Sequence, residues 1–171
     1  MKSSHIPLLI AGILVVLVSG THAGEIREYL SPDGMLNALV IALPRAPYGS
    51  GESRIEVRSA DGSLLLSQSY GSEDGEHGFG VEHAAWTPDS KFFVYSLSSS
   101  GGHQSWHFPT DFIAASTLSI HRLDDHVGPI TDPGFKVLPP DTVYAVGRGK
   151  SDLKETTFEV RLSELVNQKI R

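Results

Sequence analysis

The chain has no cysteine, which excludes disulfide bonds and a lipid anchor on an N-terminal cysteine. Without disulfides, stability must come from packing or from a partner. An Asn-x-Ser/Thr sequon is also missing, which fits a bacterial periplasmic or secreted protein better than a eukaryotic ectodomain. Three enzyme motifs are absent as well: Gly-x-Ser-x-Gly, His-Glu-x-x-His and a phosphate-binding glycine loop before Lys-Ser/Thr. No motif therefore indicates an enzyme class.

The first 23 residues have the pattern of a cleavable secretory signal peptide. Lys2 is followed by an apolar run over residues 6–18 and then by small and polar residues up to Ala23. A basic start, an apolar stretch of about 7–15 residues and a small residue before the cut are typical of such signals. The run is shorter than the roughly 20 residues of a membrane-spanning helix. We expect cleavage after Ala23, periplasmic or secreted localisation and no stable membrane span in the mature chain; an uncleaved membrane anchor is the alternative.

Residues 24–171 are predicted to form a single all-β domain of 148 residues. This length is enough for one domain with a sizeable core. The segment has 13 Lys and Arg against 20 Asp and Glu, a formal net charge of −7. A mildly acidic surface disfavours nucleic acid and anionic lipid as main partners. We therefore expect a protein partner, with a homo-oligomer as a further option, and no cofactor.

A hairpin motif occurs three times, as an apolar strand end, Pro-Asp and a second apolar strand. The prolines are Pro32, Pro88 and Pro140, spaced 56 and 52 residues apart. Proline presets φ at the first central position of a turn, and Asp bonds nearby backbone groups. Glycine, which suits a left-handed conformation, follows the aspartate only in the first copy. The turns at Ser90 and Thr142 are therefore expected to differ from the first in type.

Alternating apolar and polar residues after each hairpin predict three antiparallel meander units, over residues 24–70, 80–131 and 134–171. The first unit is predicted to have four strands, the second three or four and the third about three. A short C-terminal helix, with Ser163 as its cap, fits the last residues. The alternation predicts these core residues: Leu39, Ile41, Ile55, Val57, Trp86, Phe93, Tyr95, Ile120, Val143 and Val160.

Residues 84–96 resemble the first hairpin of a TolB-type β-propeller blade, which is related to WD-repeat blades. That family has a Trp at a strand end, then Ser-Pro-Asp-Gly-Lys and an apolar strand; here Trp86 precedes Thr87-Pro88-Asp89-Ser90-Lys91. Ser31–Gly34, which lacks the Trp, and Pro139–Asp141 are weaker copies. The resemblance covers about a dozen residues and implies a scaffold for protein binding, or in some members a domain that caps or hosts an enzyme.

The number of units departs from that family. Closed propellers have about 4–8 blades of roughly 40–45 residues, whereas this chain has three units of 52 to 56 residues. Three architectures follow from this difference. The sheets could form an open body, several copies could assemble, or the fold could be an ordinary β-sandwich.

The loops at one end of the units are the candidates for a binding site. Residues 44–53, 71–80 and 98–116 are the least regular segments and are expected to emerge together. Rigid sheets commonly hold binding residues on such loops. We predict that a protein partner contacts this end through Tyr48, His103, Trp106 and His107, because Tyr and Trp are enriched at interfaces. The alternative is that Trp106 and Phe108 pack beneath their own loop.

A secreted or periplasmic hydrolase is the alternative function, with histidines and carboxylates at the same end. His77, His103 and His107 lie in these loops, and histidine with carboxylate can bind zinc. The neighbouring carboxylates are Glu73, Asp74, Glu76 and Asp111. A His-x3-His pair is aligned on a helix, but the glycines and proline around His103 and His107 predict a loop. We therefore predict no metal ligand and assign no catalytic residue.

Overall fold

The computed structural model describes residues 25–44, 51–102, 104–150 and 154–168. Over these ranges the chain forms eleven strands and two short helices, with the strands in three antiparallel sheets. The predicted all-β fold of three meander units is thus confirmed. None of the helices in these ranges is long and apolar enough to cross a membrane.

Each sheet contains strands that are consecutive in the chain. The first sheet comprises β1 (Ile26–Leu30), β2 (Leu36–Ala42), β3 (Ser53–Ser59) and β4 (Leu64–Ser69). The second comprises β5 (Phe79–Trp86), β6 (Phe92–Ser99), β7 (Thr110–Ala114) and β8 (Ser119–Arg122). The third comprises β9 (Lys136–Leu138), β10 (Thr142–Arg148) and β11 (Glu155–Arg161). Helix α1 (Asp124–Val127) lies before the third sheet and α2 (Leu162–Gln168) follows it.

The second sheet lies in the middle of the stack, because both of its faces are covered. On one face Phe93, Tyr95 and Leu97 belong to a core shared with the first sheet. On the other face Phe92 and Val94 belong to a core shared with the third sheet. Burial on both faces explains why the first four residues of β6, Phe92 to Tyr95, are all apolar, since alternation is lost when neither face meets water. The three sheets therefore stack in chain order.

The three Pro-Asp hairpins lie side by side at one end of this stack, here named the hairpin end. The amide of Asp33 donates a hydrogen bond to Ser90 Oγ at 3.0 Å, which joins the first hairpin to the second. The amide of Asp89 donates to the carbonyl of Pro140 at 3.2 Å, which joins the second hairpin to the third. The repeated motif thus connects neighbouring sheets as well as neighbouring strands.

The second turn adopts the conformation of the first, so the expectation that Ser90 changes the turn is wrong. Ser90 has φ of 63°, close to the 73° of Gly34. In both hairpins a hydroxyl donates to the following Asp carboxylate, from Ser31 at 2.6 Å and from Thr87 at 2.8 Å. A left-handed conformation costs a non-glycine residue roughly 1–2 kcal/mol. The hydroxyl of Ser90 offsets part of this cost by accepting the hydrogen bond from the Asp33 amide, which a glycine at this position could not accept.

Asp141 of the third hairpin fixes the start of α2. Its carboxylate is buried and accepts hydrogen bonds from the Ser163 amide at 3.0 Å and from Arg161 Nε at 3.1 Å. Burial alone would raise the pKa of Asp141, but the hydrogen bonds from Ser163 and Arg161 outweigh burial and lower the pKa. The prediction that Ser163 caps the helix is wrong. Ser163 is the second helical residue, and Asp141 provides the capping carboxylate from a distant segment.

Strand β2 packs on the core with the opposite face from the one predicted. Ala38 and Val40 are buried, whereas Leu39 and Ile41 are half-buried on the outer face. Because β2 is apolar at almost every position, its pattern does not indicate which face is inside. The other predicted core residues are buried at Ile55, Val57, Trp86, Phe93, Tyr95 and Val143 and half-buried at Ile120 and Val160.

Strand β7 lies in a segment that the sequence predicted as a loop, and this expectation over residues 98–116 is partly wrong. All five residues of β7 are buried. The strand pairs with β6, with Ile113 opposite Phe93. Its five residues are too few and too uniformly buried to show the alternation that identifies a strand.

Candidate binding surface at the loop end

The connections between sheets and the longer loops meet at the end opposite the hairpins, here named the loop end. It contains residues 51–52, 70–78, 100–109 except 103, and 123–130. Antiparallel meanders bring these connections to the same end because successive strands reverse direction. Two of the four predicted contact residues, Tyr48 and His103, lie outside the described residues. Trp106 and His107 both belong to the loop end.

Glu52 joins three segments of the loop end. Its carboxylate accepts hydrogen bonds from the amide of Ser72 at 2.9 Å and its hydroxyl at 2.6 Å. The Gly78 amide at 2.8 Å and the Ser100 hydroxyl at 3.0 Å complete the set. Burial alone would raise the pKa of Glu52, but the bonds from Ser72, Ser100 and Gly78 outweigh burial and lower the pKa. An ionised Glu52 therefore holds the base of the loop end in place.

Trp106 is displayed at the loop end between an imidazole and a guanidinium group. Its side chain is 44% exposed and belongs to neither hydrophobic core. The ring stacks on His107 with centroids 5.5 Å apart. The guanidinium carbon of Arg148 lies 4.8 Å from the Trp106 ring centroid, a cation–π contact worth about 0.5–1 kcal/mol at an exposed site. Trp106, His107 and Arg148 are together named the Trp106 patch.

Asp124 fixes the base of the Trp106 patch. Its carboxylate lies 2.6 Å from Nε2 of His107. The same carboxylate accepts hydrogen bonds from the amides of Thr110 at 2.9 Å and Ile130 at 3.3 Å. One nearly buried carboxylate thus joins the His107 ring to the start of β7 and to the segment that enters the third sheet. The rings of the patch are therefore positioned by the scaffold before any partner binds.

Trp106 and Phe108 have different environments. Phe108 is half-buried, and its amide donates to the carbonyl of Ile130 at 2.9 Å. Trp106 is exposed and its ring contacts are to polar groups. Trp106 is therefore the more exposed of these two aromatic side chains.

Asp111, one of the carboxylates considered for zinc, belongs to a buried hydrogen-bond network. The Tyr70 hydroxyl lies 2.7 Å from that of Tyr95 and 3.2 Å from Asp111 Oδ2, and Arg122 Nε donates to Asp111 Oδ1 at 3.0 Å. Burial is the main cause that raises the pKa of Tyr70 and Tyr95, so both stay protonated. The bond to Asp111 raises the pKa of Arg122. This network borders a groove of about 410 Å³ that is also lined by His121, Asp125 and His126.

Two histidines of the loop end, His77 and His107, pair with different carboxylates. His77 lies against Asp74 in the β4–β5 connection, whereas His107 lies against Asp124. In the part of the chain that the structure describes, no three metal-ligating side chains come together. Asp124 and Arg148, which complete the Trp106 patch, were not predicted. Neither lies in a loop that the sequence singled out, and each reaches the patch from a later element.

The fold is similar to that of β-propeller domains of known structure. The chain matches the β-propeller domain of the Trilobed protease from Pyrococcus furiosus, which has an open velcro topology, with a TM-score of 0.51 and 13% identity. This match covers 83% of the present chain but 40% of that chain. Puromycin hydrolase matches with a TM-score of 0.43 and 17% identity, over 80% of the present chain and 20% of its own. Neither a protein-family model nor a curated protein matches the sequence. The chain is therefore a β-rich, propeller-like domain.

Proposed function

We propose that this chain is an exported scaffold that binds another protein through the Trp106 patch. The observation that carries the proposal is the 44% exposed Trp106 ring, held between His107 and Arg148. Trp and Arg are enriched among the residues that dominate binding energy at protein interfaces. Side chains already fixed in position lose less conformational entropy on binding. The hairpin around Trp86 resembles TolB-type blades, and this resemblance implies a protein-binding scaffold or, in some members, a domain that caps or hosts an enzyme.

The charge of the patch favours a particular kind of partner. Arg148 is exposed and gives the patch a positive charge within an acidic chain of net charge −6. An acidic side chain beside an apolar one on the partner would complement Arg148 and Trp106 together. The sequence-based prediction adds Tyr48 and His103, which lie outside the described residues, to this proposed surface. The proposed signal peptide over residues 1–23 places the partner in the cell envelope or outside the cell.

Site-specific photo-crosslinking in the producing cell tests the contact surface. A photoreactive amino acid replaces Ser105, which is exposed beside Trp106, and in a matched control it replaces Met35, which is exposed at the hairpin end. We expect a protein adduct at position 105 that is absent at position 35 and is lost when Trp106→Ala is added. An adduct that survives Trp106→Ala, or none above the Met35 control, would overturn the proposal.

The intact mass of the chain recovered from the producing cell tests export. Export with cleavage predicts a mature chain that begins at Gly24 and is found outside the cytoplasm. A full-length chain in the cytoplasmic fraction would contradict the proposed compartment. This result would leave the crosslinking test of the Trp106 patch unaffected.

A further inference from the structure

Within the part of the chain that the structure describes, the two outermost faces of the sheet stack are uncovered and partly apolar. The outer face of the first sheet carries Ile26, which is 51% exposed, Leu30, Leu39 and Ile41. The outer face of the third sheet carries Leu138, which is 40% exposed, Tyr144 and Val146. The equivalent positions of the second unit, counted from its Pro-Asp motif, show whether such side chains are buried when a neighbouring sheet is present.

The side chains on the first-sheet outer face occupy positions of the repeat whose counterparts in the second unit are buried. Leu39 and Ile41 are six and eight residues after the aspartate of their Pro-Asp motif, as Tyr95 and Leu97 are in the second unit. Tyr95 and Leu97 are 0% and 1% exposed, in the core shared with the preceding sheet. The first-sheet outer face therefore has the character of a face that packs on a preceding sheet.

The third-sheet outer face corresponds instead to a face that packs on a following sheet. Tyr144 and Val146 are three and five residues after their aspartate, as Phe92 and Val94 are in the second unit. Phe92 and Val94 are 5% and 0% exposed, in the core shared with the following sheet. The two uncovered faces are thus the two halves of an interface that already occurs twice within the chain.

Charge also matches between the two faces. Inside the chain β5 lies against both β1 and β3, since Trp86 Nε1 donates to the Tyr29 carbonyl at 2.7 Å and the Val81 amide donates to Ser53 Oγ at 3.1 Å. The third strands of the first and third sheets carry opposite net charges on their outward sides. The outward residues of β3 are Arg54, Glu56 and Arg58, with net charge +1, and those of β11 are Glu155, Thr157, Glu159 and Arg161, with net charge −1.

We propose that a second copy of this chain covers both faces. The first-sheet outer face of each copy packs on the third-sheet outer face of the other, which gives a closed ring of six sheets with twofold symmetry. Six lies within the range of about 4–8 blades over which propellers close. Once one contact forms, the other becomes intramolecular, so the ring gains stability from closure. The loop ends then lie on one side of the ring.

Two complementary variants test this arrangement. Leu30→Glu alters the first-sheet outer face and Tyr144→Lys alters the third-sheet outer face, each close to its hairpin; Met35→Glu, at an exposed hairpin residue, is the matched control. Native mass spectrometry and sedimentation should show a dimer for the wild type and for Met35→Glu. Each single variant should dissociate at least about tenfold more readily, because both interfaces of its dimer contain the introduced charge.

Mixing the two variants gives the sharpest result. In a head-to-tail ring the heterodimer has one wild-type interface and one interface in which the introduced glutamate meets the introduced lysine, so we expect heterodimers from variants that are monomeric alone. A wild-type monomer, a dimer unaffected by both substitutions, or open chains of copies would overturn the ring. Circular dichroism verifies folding, and Leu138→Lys replaces Tyr144→Lys if that variant does not fold.

Discussion

The two ends of the sheet stack are held together in different ways. At the hairpin end each turn bonds to the next, from Asp33 to Ser90 and from Asp89 to Pro140. At the loop end the carboxylate of Glu52 joins three segments that are unlike one another in sequence. The repeated end therefore builds the fold. The unrepeated end, once its base is fixed, is free to carry a contact surface.

The largest expected effect comes from removing the carboxylate at the base of the loop end. Glu52→Ala removes the acceptor of four hydrogen bonds, of which the bond from the Gly78 amide is buried and the other three are partly buried. We expect the free energy of unfolding in urea at neutral pH to fall by about 3 kcal/mol. Glu73→Ala, at an exposed residue of the same end, is the control and should cause no measurable change. Equal effects of the two substitutions would show that Glu52 does not hold the loops.

The same carboxylate should make stability depend on pH. Because the folded-state pKa of Glu52 is lowered, the ionised side chain contributes its full stabilisation above the ordinary glutamate pKa. This contribution is lost as the pH falls through the lowered folded-state value. The difference in unfolding free energy between wild type and Glu52→Gln should therefore shrink between about pH 6 and pH 3. A difference that stays constant or grows on acidification would contradict this role.

The next largest effect is a difference in unfolding free energy between substitutions at Asp141 and Asp33, which occupy the same position in the repeated motif. Asp141 is buried and anchors α2, so Asp141→Asn should lower the unfolding free energy by about 2 kcal/mol. Asp33 is exposed and bonds only within and beside its own turn, so Asp33→Asn should cost much less. Equal losses in parallel urea titrations would refute the anchoring role of Asp141.

The smallest effect is expected at Ser90. Ser90→Ala removes the acceptor for the Asp33 amide and keeps a side chain in the left-handed conformation. Ser90→Gly removes the same acceptor but relieves the backbone cost. We expect the glycine variant to be about 1 kcal/mol more stable than the alanine variant. The reverse order in thermal and urea unfolding would mean that Ser90 does not carry this conformational cost.

Features that depend on residues close together in the sequence were predictable, whereas contacts between distant segments were not. The hairpins at Pro32 and Pro88 and most of the alternating core were predictable, because turn chemistry and strand periodicity involve neighbouring residues. The buried face of β2 was not predictable, because a strand that is apolar at almost every position lacks the alternation that identifies its inner side. At the loop end Trp106 and His107 were predicted from residue type and loop context. Asp124 and Arg148 reach the same patch from later elements, which a pattern along the chain does not show.

The most direct test of the account compares the two tryptophans. Trp86 is 7% exposed, bonds to the Tyr29 carbonyl and packs on Phe93 at 5.2 Å, whereas Trp106 is 44% exposed. Unfolding in urea should show a loss of about 3–5 kcal/mol for Trp86→Ala, or failure to fold. Trp106→Ala should lower the unfolding free energy by less than about 1 kcal/mol. A loss at Trp106 as large as that at Trp86 would make Trp106 part of the fold and contradict its assignment to a binding surface.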